Sequence, residues 1–165
     1  MKTTVDDVSL SCLGHRDYRD RGARPHVQRV WEHRRAVVNF EFTLPAWDLD
    51  YYYTGGVEIA TRGPVPLTVI REAGTAHLYP PGLTFAERTP PSQLMHDAYI
   101  LFQHGETVGA NAFVANPFGF ARFLDPRGLL GRRVLNLVRV AQMHGEAGHW
   151  QVQSLFLDMI ELLDL

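Results

Sequence analysis

Asp48 and Asp50 stand two residues apart in Trp47-Asp-Leu-Asp-Tyr51, a spacing that places both carboxyl groups on one face of a strand. Such a pair is either a set of ligands for a cation or, more commonly, a solvated acidic edge. Asp97 lies between His96 and an apolar run, so it must find hydrogen-bond donors or face water, because burial without partners is costly. His77, beside Tyr79, is a candidate to line a pocket; the alternative is a histidine packed on one hydrogen bond. Glu87 opens an acidic and basic pair with Arg88 near a loop, which favours exposure, and His33-Arg34-Arg35 is either a grip for an anion or the charged start of a strand. Trp47, Tyr51, Tyr53 and Tyr99 suit the filling of a small barrel as well as the wall of a pocket. There is no G-x-S-x-G elbow, no phosphate-cradling glycine loop and no H-E-x-x-H, so no catalytic constellation stands out and no enzyme activity is expected.

The elements that must position these groups fit in one domain, since a chain of 165 residues buries roughly 70% of its unfolded surface without help from metals or disulfides. A formal net charge of -2 leaves no electrostatic footprint for nucleic acid, although every basic residue but Lys2 is arginine. Cys12 is the sole cysteine, which excludes an internal disulfide and a cysteine zinc site and fits a reducing compartment. The amino terminus has no apolar leader and no run is long enough to span a bilayer, so a cytoplasmic protein without membrane contact is expected.

Residues 14–26, polar and bounded by breakers, read as an exposed loop within an amino-terminal arm over 1–30. Alternation then predicts short strands over 35–42, 47–54, 57–61, 67–71, 76–79, 83–88 and 96–102, with Gly55-Gly56 as a hairpin turn. Pro80 and Pro81 fix two successive φ angles and Gly82 permits a positive one, which makes Pro80-Pro81-Gly82 a barrel corner. The last third changes period. Asp125-Pro126 reads as an N-cap followed by proline at the first helical position, an apolar stripe runs from Leu130 to about Met143, and Gly145 to Gly148 separates a second helix from about His149. These patterns predict a mainly β fold, an antiparallel barrel or jelly roll over 31–124, closed by an antiparallel helix pair over 125–165.

Gly74, Pro80 and Gly82 resemble the second half of the cupin signature, G-x-x-x-x-x-P-x-G-x-x-H, with Phe85 where the histidine would stand. Leu67 to Gly82, His96 to Phe102 and the two amphipathic helices together resemble the amino-terminal sensor domain of AraC-type transcription regulators, over roughly residues 35–165. That resemblance implies a small-molecule effector in the barrel, a homodimer made by the helices, and DNA contact only through a carboxy-terminal domain absent from this chain. Carried over by position, the effector pocket holds Phe85, Glu87, Asp97 and Tyr99, with Tyr99 where sugar-sensing members stack an aromatic ring; His77 and Tyr51 are further candidates. The effector expected is a sugar or an aromatic acid. Metal-binding cupins hold their ion with an H-x-H pair, a glutamate and a later histidine; Trp47 to Asp50 and Phe85 occupy those stretches here, so neither metal nor other cofactor is expected. The final helix, through Leu155, Met159 and Leu162, is the expected dimer seam. The competing expectation is a cupin-type isomerase or dioxygenase acting on a small polar or aromatic substrate.

Overall fold

A computed structural model of the chain describes residues 9–17, 25–35, 39–62, 66–90, 93–103 and 120–163. Ten strands among them are β1 (Ser9–Asp17), β2 (His26–Arg35), β3 (Asn39–Thr43), β4 (Trp47–Tyr52), β5 (Glu58–Arg62), β6 (Thr68–Ile70), β7 (Thr75–Tyr79), β8 (Thr84–Arg88), β9 (Met95–Gln103) and β10 (Ala121–Leu124). They form a six-stranded sheet in the order β1-β2-β9-β4-β7-β10 and a four-stranded sheet in the order β3-β8-β5-β6, and every pairing is antiparallel. Two helices follow, α1 (Leu129–His144) and α2 (His149–Leu162), joined by a 3-10 turn over Gly145–Gly148. The mainly β, two-sheet barrel anticipated from the alternation is what the chain forms.

Three local expectations need correction. Residues 9–17, expected to belong to an arm whose loop runs over 14–26, of which residues 18–24 lie outside the described residues, form a strand that pairs along β2, with Cys12 opposite His33 and Asp17 opposite Arg29. The polar character of this stretch suits an edge strand as well as a loop. Gly55-Gly56 is not a hairpin, because β4 pairs with β7 and β9 whereas β5 pairs with β6 and β8. It carries the chain from one sheet to the other. Gly56 takes a φ of 95°, and a Cβ there would meet the Gln93 side chain. Finally, α1 begins at Leu129 behind a left-handed Gly128 rather than at Pro126. Asp125 still caps it from a distance, as Oδ1 accepts the Leu129 N–H at 2.8 Å and Oδ2 accepts the Gly131 N–H at 2.9 Å. Burial by itself would raise the Asp125 pKa, but these bonds and one from the Tyr51 hydroxyl outweigh it and hold the carboxyl below its usual value.

Pro80-Pro81-Gly82 turns the corner between β7 in the large sheet and β8 in the small one. Gly82, at φ 81°, donates its N–H to Leu44 O at 2.8 Å, and the Leu44 N–H returns to Leu83 O at 3.0 Å.

Both helices lie on the outer face of the six-stranded sheet. Leu137, Val138 and Ala141 of α1 and Val152, Phe156 and Met159 of α2 are buried with Leu49, Leu78, Ile100 and Phe102 of the sheet in one apolar cluster. α2 returns along α1, and Arg133 donates to the Asp158 carbonyl. Close approach of α1 needs Gly131, because a Cβ there would fall 2.6 Å from the Tyr51 ring. The proposed dimer seam must therefore be redrawn. Met159 is fully buried within its own chain and Leu155 packs on the same cluster, while Leu162 alone of the three is exposed, at 40%. A broad apolar stripe looks the same in sequence whether a partner or the chain's own sheet covers it. Met159→Ala is expected to cost about 2–5 kcal/mol, the usual penalty for emptying a core site, without changing the sedimenting mass. Denaturant unfolding paired with sedimentation checks both halves.

Candidate functional site in the barrel interior

The helices make the large sheet two-sided. Every residue of β4 is buried: Leu49 and Tyr51 face the helices, and Asp48, Asp50 and Tyr52 face the small sheet across the barrel. Asp48 is 5% exposed and Asp50 4%, so the solvated acidic edge expected for this pair is wrong. Side chains alternate faces whatever covers them; the helix layer gives the apolar alternate face a dry home and turns the acids inward.

Arg71, just after β6, lies at the bottom of this interior and is itself buried. Its backbone continues the pairing of β6 with β5, with Arg71 N–H donating to Val57 O and Gly56 N–H donating to Arg71 O, both at 2.8 Å. Its guanidinium donates to Asp50 Oδ2 at 3.0 Å, pairs with Glu87, and lies 4.0 Å from the centroid of the Tyr52 ring. Asp50 Oδ2 also accepts the Tyr52 hydroxyl at 2.7 Å; Tyr52 and Tyr79 share a hydroxyl contact of 3.1 Å, and His77 Nδ1 lies 2.8 Å from the Tyr79 hydroxyl. Burial, with Arg71 and Arg122 adding to it, pulls the His77 pKa down to about 3, so its ring is neutral. Burial also raises the Asp50 pKa well above the carboxylate range against the pull of Arg71.

Above this network is a cavity of about 220 Å³. Trp31, Phe40, Phe42, Phe85 and Tyr99 contribute rings to its wall, and Asp48, Asp50, Glu87 and Asp97 contribute carboxyl groups, with Arg29 and His33 on the β2 side. Trp31 and Tyr99, opposite each other in the β2 and β9 register, stack within 12° of parallel at a centroid separation of 6.3 Å. His33 and Asp97, also cross-strand partners, approach at 3.3 Å through Nδ1 and Oδ2. Asp48 differs from the other three acids in having no ion-pair partner among the described residues. Like one oxygen of each of them, its Oδ1 is enclosed without a hydrogen bond, and burial pushes its pKa to about 8, with Arg71 opposing and Glu87 and Asp97 reinforcing the rise.

The structure thus brings Tyr99, Asp97, Glu87 and Phe85 together around one cavity. Glu87 is buried, not exposed as its place beside Arg88 suggested. His77 sits in the interior network without lining the cavity, and Tyr51 lies on the opposite face, where its hydroxyl donates to Asp125 Oδ2 at 2.9 Å. Of the basic triplet His33 reaches the cavity and Arg34 is exposed. Sequence reasoning missed Trp31, Arg29 and Arg71. The alternation of Arg29, Trp31 and His33 was the available signal on β2, masked by the polar residues around it. Nothing local marks Arg71, whose burial comes from the pairing of distant strands.

Metal-bearing cupins raise the question of an ion here, and the donor set does not fit one. Arg71 already provides the positive charge between Asp50 and Glu87, and among the described residues no group of three His, Cys, Asp or Glu side chains is placed to hold a metal ion.

No protein-family model matches the chain, and no curated protein matches it in sequence. Solved structures do match in shape. YhaK from Escherichia coli superposes with a TM-score of 0.50 at 11% identity, over 74% of this chain and 59% of that one. A cupin domain from Bordetella pertussis Tohama I gives 0.38 at 18% identity, over 52% of this chain and 98% of that one. A mutant oxalate decarboxylase from Bacillus subtilis gives 0.41 at 11% identity over 52% of this chain, which spans only 23% of that enzyme's length. At such identities the likeness is one of architecture alone, two antiparallel sheets closed around a polar interior as in the superposition on YhaK.

Proposed function

We propose that this chain is a ligand-sensing domain of the AraC type, a cytoplasmic module that takes a small molecule into the barrel. The observation that carries the reading is the cavity in which Trp31 and Tyr99 meet Asp48 and Asp97, since aromatic walls with a few convergent polar groups are the usual makings of a small-molecule site. The sequence resemblance at Leu67 to Gly82 and His96 to Phe102 supports it, and so does the helical layer built on the barrel's outer face. In this reading DNA is contacted through a carboxy-terminal domain. A homodimer would use what the helices leave exposed, Leu162 with Leu157 and Trp150, rather than Met159.

A thermal-shift screen of sugars, polyols, aromatic acids and amines tests the sensor reading. A compound at a hundred times its dissociation constant is expected to stabilise the fold by about 2.7 kcal/mol, and Tyr99→Ala to weaken that shift. A screen in which no class moves the melting point would overturn the reading. The second reading is a cupin-type enzyme, favoured by one observation: an acid with a pKa of about 8 at the cavity wall suits proton transfer near neutrality. Chemical change in a bound compound, lost in Asp48→Asn while binding persists, would select it.

A further inference from the structure

We infer, resting on the reading of the cavity as a ligand site, that its occupant is an organic cation, a protonated amine on a small aromatic or alkyl frame that Asp48 holds against the rings of Trp31 and Tyr99. Charge assignment inside the barrel leads there. Arg71 pairs with one oxygen each of Asp50 and Glu87, and His33 lies against one oxygen of Asp97, which leaves Asp48 as the cavity acid without an ion-pair partner among the described residues and with an enclosed Oδ1 that no donor reaches. A ligand that brings an N–H to this oxygen supplies what the fold does not. An ammonium group does so with a charge-assisted bond, whereas a carboxylate ligand would add to four acidic groups already around the space. The wall agrees, because the π faces of aromatic rings are electronegative and attract a desolvated cation. Phe40, Phe42 and Phe85 add apolar surface to the same wall, which suits the hydrocarbon frame of such a ligand.

Affinity should then depend on pH through Asp48. Facing it are Arg29 and His33 from β2, Asp50 on its own strand, Arg71, Glu87 from β8, and Asp97 and Tyr99 from β9. In the empty protein Asp48 holds its proton up to about pH 8, and an ammonium ion requires the carboxylate. Binding therefore releases a proton, and affinity rises by about fiftyfold between pH 6 and pH 8, where simple alkylammonium ions stay charged.

The test is calorimetric titration of the intact chain with 2-phenylethylammonium, methylammonium, putrescine and choline, beside neutral 2-phenylethanol, anionic 3-phenylpropanoate and the sugars arabinose and glucose. At least one amine is expected to bind more tightly than the alcohol, the acid and the sugars. Asp48→Asn is expected to weaken that amine about tenfold or more, the worth of a charge-assisted bond, and to flatten the pH dependence. Preferential binding of the alcohol, the acid or a sugar would overturn the cation assignment and leave the ligand site standing. Amine binding that Asp48→Asn leaves unchanged would overturn the assignment of Asp48 and with it the inference. Binding by none of these compounds overturns the inference, and if the broader screen also finds nothing, the sensor reading falls with it.

Discussion

Replacing Arg71 by leucine is expected to destabilise the fold by about 3–5 kcal/mol at neutral pH, because it strands Asp50 and Glu87 as buried acids without their cation. The loss should depend on pH in a definite direction. Burial already raises the Asp50 pKa against the pull of Arg71, and losing that pull raises it further, so the folded variant binds more protons than the unfolded chain above the ordinary carboxylate range. Stability then falls as pH rises, and the deficit shrinks as pH is lowered below the ordinary aspartate pKa, where Asp50 is neutral in either state. Urea unfolding of Arg71→Leu and the parent protein at pH 5 and pH 8 measures it. Adding Asp50→Asn and Glu87→Gln to the Arg71 variant should restore much of the loss at pH 8, since removing all partners of an ion pair is far milder than removing one. A small, pH-independent deficit in the single variant would mean that the guanidinium does not neutralise these acids.

Asp48→Asn is expected to act in the opposite sense and stabilise the chain by about 2 kcal/mol near pH 8, or roughly 4–8 °C in melting temperature. Asp48 has its folded pKa raised from 3.8 to about 8. Such an acid imposes no penalty below the unfolded pKa, an increasing one as pH climbs between the two values, and a constant one above the folded value. Asparagine is neutral throughout, so the gain should be absent near pH 4 and largest near pH 8. It is held below the full ionisation penalty because the buried amide brings its own unpaired polar atoms. Melting curves across that range decide the matter, and a variant less stable than the parent at pH 8 would show that Asp48 has a structural partner. Together with the titration experiment, this describes a group that weakens the fold and serves the ligand, as expected where a site retains a costly polar group for binding.

Much of the fold was legible because its signals are local. The alternation in 96–102 and 76–79, the Pro80-Pro81-Gly82 corner and the apolar stripes of the last third depend on neighbouring residues, and they emerge as β9, β7, the turn between sheets, and α1 and α2. Part of the site was legible for the same reason: period two puts Asp97 with Tyr99 and Phe85 with Glu87, and each pair does face one cavity. What the residues alone left open was which face of each strand points inward. Tyr51 and Asp48 alternate on β4, and choosing the apolar set for the barrel interior was reasonable for a sheet with one wet side. The tertiary structure decided otherwise, because α1 and α2 cover the outer face and take the apolar set, leaving Asp48, Asp50 and Tyr52 to line the barrel. The same layer consumes Met159 and leaves Leu162 exposed. Arg71 belongs wholly to the tertiary structure. An arginine at the end of a short strand, between isoleucine and glutamate, gives no sign of burial, and it is neutralised only because strand pairing brings β4 and β8 to either side of it. Local sequence sets where strands and helices form, since propensity and periodicity act over a few residues; the chemistry of the interior is set by which faces meet, and that is a property of the assembled layers.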